Sequence, residues 1–177
     1  MNISNYEFKA RVSELKKYEQ LLLTLNPRFQ GVDNQKDTYY NTDHGRLKLR
    51  EGNIEHALIH YTRVNRADAK ISDVILYKHR PSPALNDILS VHLGVKVIVV
   101  KKRKIYFIEN VKIHLDEVEG LGTFLEVEAI NEGGNYTLDF LQEQCAYYLE
   151  FFGIDKTWLI NYSYSDLLLQ KDTPGSK

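Results

Sequence analysis

Three short runs of this chain alternate charged and apolar residues with the period of a β-strand. Glu7, Lys9 and Arg11 interleave with Tyr6, Phe8 and Ala10; Arg46, Lys48 and Arg50 with Leu47 and Leu49; Glu126 and Glu128 with Leu125 and Val127. Side chains two apart on a strand share a face, so each run lines its charges up in one row. Taken singly, each row is equally well a solvated strand face bridged by cross-strand ion pairs. If several rows point inward together, the result is a polar bore. Carboxylates in one part of it can hold a divalent metal, and ammonium and guanidinium groups can hold a polyphosphate.

The rest of the chain supplies the strands such a bore needs. Residues 3–11 read as a strand. Ser13 then reads as an N-cap, and Leu15, Tyr18, Leu22 and Leu25 follow at helical spacing until Asn26-Pro27. Strands are expected at 33–42, 46–51, 54–63 and 72–80, separated by turn signals such as Glu51-Gly52-Asn53. Pro81-Ser82-Pro83 launches a helix to about Leu93, with Gly94 at its C-terminal cap. Residues 95–103 read as a strand continued by 104–108 after a bend, and 111–118 and 123–130 follow. From Thr137, the apolar positions Leu138, Leu141, Cys145, Leu149 and Phe152 describe a helix stopped at Gly153, and 158–169 adds a helical turn or two.

Eight strands joined mostly by hairpin-length turns favour antiparallel pairing, and closure removes their exposed edges. The expected fold is therefore α+β: a closed or nearly closed eight-stranded antiparallel β-barrel with helices packed outside, open at both ends or nearly so. Its 177 residues suit one domain over 1–170, with 171–177 as a flexible tail.

Bulk composition narrows the function. Lys and Arg number 23 against 24 Asp and Glu, a net charge of −1, so a nucleic-acid partner is not expected. The single cysteine, Cys145, allows no intramolecular disulfide, which fits a reducing compartment. No leader pattern and no membrane-length apolar run is evident, so a cytoplasmic location without membrane contact is expected.

Six segments in order carry a resemblance. They are Asn5-Tyr6-Glu7-Phe8-Lys9, Gln35 through Tyr40, Arg46 through Glu51, Tyr61-Thr62-Arg63, Lys101-Lys102-Arg103, and His114 through Glu128, whose centre reads Leu115-Asp116-Glu117-Val118-Glu119-Gly120-Leu121-Gly122. Ser163 through Leu168 adds a match near the C-terminus. Together they resemble the CYTH superfamily of triphosphate tunnel enzymes, and within it the class IV adenylyl cyclase-like and thiamine triphosphatase-like proteins. The resemblance covers nearly the whole chain.

The resemblance implies a triphosphate tunnel with a metal. Glu7, Glu126 and Glu128 would be metal ligands, for Mg²⁺ or Mn²⁺. Lys9, Lys48, Arg50, Arg63, Lys101 and Arg103 would hold the triphosphate. Lys9, Asp116 and Glu126 would take part in catalysis, Asp116 by assisting the metal or the nucleophile. His114 lies nearby without an assigned role. Asn5 stands where the family signature has its first Glu, so a neutral carbonyl oxygen replaces a carboxylate. The implied substrates are ATP, thiamine triphosphate or tripolyphosphate, and the implied assembly is a homodimer. Conversion of ATP to cyclic AMP and pyrophosphate leads; triphosphate hydrolysis, or a binding module with little turnover, stays open beside it.

Other residues carry blander expectations. Lys101–Lys104 would split between two strand faces. His44, His56, His60, His79 and His92 read as structural or exposed, and Tyr39 and Tyr40 as packing residues with base stacking as the alternative. Cys145 shares its helical face with core leucines, which argues against a nucleophile.

Overall fold

The computed structural model describes residues 2–63 and 71–172, with side chains over 5–62 and 74–171. Among these residues eight strands close a barrel: β1 (Asn2–Arg11), β2 (Arg28–Tyr40), β3 (Arg46–Glu51), β4 (His56–Arg63), β5 (Ile71–Lys78), β6 (Val95–Ile108), β7 (Val111–Val118) and β8 (Gly122–Glu132). The order around the barrel is β1-β5-β4-β3-β2-β6-β7-β8, every neighbouring pair is antiparallel, and β8 returns to β1. Four α-helices join them: α1 (Leu15–Leu23), α2 (Pro83–Leu93), α3 (Leu138–Phe151) and α4 (Tyr164–Asp172).

The strand register sorts every side chain to one of two faces. Lys9 lies opposite Glu126, Glu126 opposite His114, and His114 opposite Ile105. One step along, Phe124 faces Asp116, Asp116 faces Arg103, and Arg103 faces Asp33. Across the barrel, Asp37 faces Arg50, and Tyr39 faces Lys48. Partners opposite one another project from the same side of the sheet, so the three charged rows do share one interior.

The alternate residues make the outer core. Phe8, Ala10, Ile113, Leu115, Leu125, Val127 and Ala129 pack with Tyr18 and Leu22 of α1 and with Leu141, Cys145 and Tyr148 of α3. Each large side chain buried there contributes about 1.5–3 kcal/mol, enough to drive two helices onto this wall. Cys145 belongs to that layer, and burial pushes its thiol up to about 12.

Several boundaries differ from the sequence expectations. Helix α1 begins at Leu15 with Glu14 in the cap position and no side-chain cap bond, so Ser13 is not the N-cap. Buried Val12 keeps the chain extended, its N–H bonded to the Thr123 carbonyl, and this delays the helix. Strand β2 begins at Arg28, earlier than expected, because its first residues pair with the far end of β6. Helix α2, by contrast, runs to Leu93 as expected, with Gly94 as its cap at a φ of 70° that suits glycine.

The bore is not open at both ends. An apolar layer of Tyr39, Ile59, Tyr61, Val99, Val118 and Phe124 fills one end, and Tyr164, the first residue of α4, packs into it. The chain reaches that position by clipping onto β1: Leu159 bridges Ala10, and the Ile160 N–H donates to the Lys9 carbonyl at 2.8 Å. Ser163 and Asp166 then cap α4 reciprocally, each backbone N–H donating to the other's side chain at 3.0–3.1 Å. Arg46 anchors the cap through Ser163 at 2.8 Å and Asp166 at 3.0 Å. The expected flexible tail at 171–177 falls, from 173 onward, outside the described residues.

Candidate functional site

The polar interior divides into an acidic wall and a basic wall. Strands β1, β7 and β8 supply Glu7, His114, Glu126 and Glu128; β3 and β6 supply Lys48, Arg50, Lys101 and Arg103. Lys9 stands at the seam, with its Nζ 3.0 Å from Glu126 Oε1. Arg103 closes the seam from the other side, its Nη2 donating to Glu126 Oε2 at 2.6 Å.

Among the described residues, every buried Lys and Arg has an anion beside it, as burial demands. Asp37, fully buried, accepts from Lys48 at 3.2 Å, Lys101 at 2.7 Å and Arg50 at 2.9 Å. Glu55 takes Arg50 at 2.8 Å and Lys112 at 2.5 Å. Asp116 takes Arg103 through two bonds and the Tyr164 hydroxyl at 2.7 Å.

These contacts set the protonation states. Burial opposes ionisation of Asp37, yet Arg50, Lys101 and Lys48 hold its carboxyl well below the usual range. Glu126 follows the same logic: burial pushes it up, and Lys9 and Arg103 bring it well below. Glu128 goes the other way. Burial and the neighbouring Glu126 carboxylate raise it to about 7, the split expected of two close carboxyls. Burial and then Arg103 lower His114 to about 3, which keeps the imidazole neutral.

Lys9, Lys48, Arg50, Lys101, Arg103, Asp116 and Glu126 lie together in the bore, bonded to one another or through shared carboxylates. Glu7 faces Glu128 across β1 and β8, on the same side as Glu126. Arg63 ends β4, and its side chain lies outside the described residues. Of the basic run, Lys101 and Arg103 face inward while Lys104 faces Glu19 of α1 at 2.7 Å. Tyr39 is packed in the apolar layer and Tyr40 reaches Asn86 of α2, at 3.3 Å.

Four members of the network had no role assigned from sequence: Asp37, Glu55, Lys112 and Tyr164. For Lys112 the signal was present, since Lys112, His114 and Asp116 alternate through β7 as the other rows do. Tyr164 gave none, because its place depends on where α4 docks.

Three ligand-type atoms, one each from His114, Glu126 and Glu128, lie within 4.8 Å of one another. The Asn5 Oδ1 atom is buried without a hydrogen-bond partner. Carboxylates beside an amide oxygen that accepts no hydrogen bond fit a divalent cation.

A family model described as the CYTH domain matches residues 4–157. Among solved structures, a protein of Pyrococcus horikoshii is 25% identical, with a TM-score of 0.75 over 94% of this chain and 99% of its own. A conserved protein of Pyrococcus furiosus is 18% identical, with a TM-score of 0.79 over 92% and 99%. A Vibrio parahaemolyticus protein provisionally described as an adenylate cyclase is 20% identical, with a TM-score of 0.75 over 93% and 97%. No curated protein matches in sequence. Among the described residues, no helix is long and apolar enough to cross a membrane.

Proposed function

The chain belongs to the CYTH domain family, and from that premise we propose that it is a divalent-metal-dependent enzyme acting on a triphosphate, first as an adenylyl cyclase. The observation that carries this is the convergence of Lys9, Lys48, Arg50, Lys101 and Arg103 on one bore beside Glu126 and Glu128. A triphosphate carries several mutually repelling charges, and binding one takes cations from several sides. Here the cations are already gathered and are neutralised by Asp37, Glu55 and Asp116 until a polyanion arrives.

Glu7, Glu126 and Glu128 would hold Mg²⁺ or Mn²⁺, which when bound supplies Lewis-acid stabilisation to phosphoryl oxygens. Arg50 and Arg103, each held edge-on by a carboxylate, would turn guanidinium N–H groups to nonbridging oxygens as the phosphates displace or share those carboxylates, and Lys9, Lys48 and Lys101 would neutralise the remaining charge. In the cyclase reaction the substrate's 3′-oxygen bonds to the α-phosphorus. The bond from that phosphorus to the β-bridging oxygen breaks, pyrophosphate leaves, and the 3′-hydroxyl proton passes to a base. Most of the rate acceleration in such chemistry is positioning and charge neutralisation. Asp116 serves by holding Arg103.

Hydrolysis is the second reading, and one observation favours it. Tyr39 and Tyr40, the aromatic side chains weighed for stacking on a base, are packed in the apolar layer and against α2. A substrate without adenine, such as thiamine triphosphate or tripolyphosphate, asks for no such contact.

The test is incubation of purified protein with Mg²⁺ or Mn²⁺ and, in turn, ATP, thiamine triphosphate and tripolyphosphate. Cyclic AMP with pyrophosphate supports the first reading and orthophosphate the second. Absence of any product overturns the enzyme proposal, and binding without product would mark a binding module instead. Glu126→Gln should abolish turnover, and Lys9→Ala should weaken substrate binding.

A further inference from the structure

His114 is fully buried, and neither of its ring nitrogens has a hydrogen-bond partner. A neutral imidazole carries one donor and one acceptor, and leaving both unmet in an interior is costly enough to need a reason. The register aims this side chain into the bore, opposite Glu126 of β8. Its Nδ1 lies 3.6 Å from Glu126 Oε2 and 4.0 Å from Glu128 Oε1. These separations are long for hydrogen bonds. They suit three groups spaced around a cation, since ligands about 2.1 Å from a metal stand roughly 3–4 Å apart.

We infer that His114 is a metal ligand, giving the acidic wall a nitrogen donor that favours the first-row divalent ions, Mn²⁺ among them, over Mg²⁺. The inference rests on the proposed metal role of Glu126 and Glu128, and adds to it the identity of the metal class. Carboxylate, carbonyl and water ligands suit Mg²⁺ and Mn²⁺ alike, whereas a nitrogen ligand adds affinity for the first-row divalent ions that is smallest for Mn²⁺ and grows toward Cu²⁺, and adds little for Mg²⁺. Asn5 shifts the balance the same way by removing a carboxylate from the signature position. Lys9 and Arg103 already occupy the two oxygens of Glu126. A metal joining this cluster would therefore share Glu126 with those cations and draw its further ligand atoms from His114 and Glu128.

The test uses the full chain, stripped with a chelator and loaded with Mn²⁺ alone, with no triphosphate present. Pulsed electron paramagnetic resonance should show ¹⁴N coupling to the bound Mn²⁺, changing to the ¹⁵N pattern when histidine is isotopically labelled. His114→Gln should abolish the coupling and weaken Mn²⁺ binding about tenfold or more, with Mg²⁺ affinity changed less than twofold. An oxygen-only spectrum, no measurable Mn²⁺ binding, or an unchanged Mn²⁺-to-Mg²⁺ affinity ratio in the variant would each overturn the inference. Should the variant fail to fold, the labelling experiment on the unaltered chain decides alone. Nitrogen coupling in a protein that turns over no triphosphate would sink the proposed activity and leave this ligand standing; turnover with an oxygen-only spectrum would do the reverse.

Discussion

Arg103 and Asp116 lie directly opposite one another on β6 and β7 and lock into a two-pronged pair, Nε donating to Oδ1 at 2.7 Å and Nη2 to Oδ2 at 2.6 Å. The same Nη2 reaches Glu126, and the Tyr164 hydroxyl donates to Asp116. A guanidinium held this way is fixed in plane before any ligand arrives, which spares the entropy of ordering it during binding.

Asp116→Asn removes the charge opposite Arg103 inside the barrel. Breaking a buried pair by removing one partner costs about 3–5 kcal/mol, and the expected result is a loss of that order in chemical denaturation. Tripolyphosphate affinity, read by calorimetry, should also fall because the fork is no longer aimed. Arg103→Lys should keep the charge yet lose much of the affinity, since an ammonium cannot form the paired bonds. Equal affinity in Arg103→Lys and the unaltered protein would exclude a bidentate role.

Lys101 predicts a pH effect. Burial is the largest influence on it and lowers it; Asp37 opposes this, and Arg50, Arg103 and Lys48 add to it, leaving the ammonium at about 7. An unfolded lysine titrates near 10.5, so between about 7 and 10.5 the unfolded chain binds the extra proton. The contribution of Lys101 to stability therefore rises with pH across that window and is absent below it. Near pH 8 the group is mostly neutral, and a polyanion placed beside it should draw a proton back. Calorimetry of tripolyphosphate binding in buffers of different ionisation enthalpy should show uptake on the order of one proton. Lys101→Met should remove it.

The barrel was legible because its signal is local. Alternation at Glu7-Lys9, Lys48-Arg50 and Glu126-Glu128 states which side chains share a face, and hairpin-length turns state which strands are neighbours. The partners of those charges were not legible. Asp37 serves three cations, from β3 and β6, one of them 64 positions away, and nothing within β2 announces it. Ser13 failed as a cap because burial of Val12 outweighed a local preference. The closed end was missed for a like reason: the C-terminal segment reads as a weak helix, and only its docking on β1 puts Tyr164 inside.

Gly52 is a test of how the basic wall is positioned. A Cβ there would collide with both carboxylate oxygens of Asp33. Asp33 accepts the N–H groups of Asn53 at 2.7 Å, Ile54 at 2.9 Å and Glu55 at 3.1 Å, which fixes the turn that delivers Glu55 to Arg50 and Lys112. Gly52→Ala should cost about 1–3 kcal/mol, the scale of leaving such buried groups unmet. It should also weaken tripolyphosphate binding although the residue touches no cation. Full stability in thermal denaturation would show that the turn tolerates the shift.

Tyr164 separates sealing from chemistry. Its ring packs 4.9 Å from Phe124 and lies under Lys9, whose Nζ is 4.1 Å from the ring centroid, while its hydroxyl bonds Asp116. Tyr164→Phe keeps the ring and drops one hydrogen bond, so a loss of about 1 kcal/mol is expected, with Asp116 still held by Arg103. Tyr164→Ala removes the plug itself, and a buried aromatic truncated to alanine costs about 3–5 kcal/mol. Water would then reach the apolar layer, and amide exchange at Val99 and Val118 should speed up in the alanine variant but not in the phenylalanine one. The same alanine variant should weaken polyphosphate binding, because Lys9 loses the face of the ring that fixes it toward Glu126. Exchange rates equal in both variants would mean that the remaining residues of α4, Leu167 and Leu168 among them, close the barrel without the tyrosine.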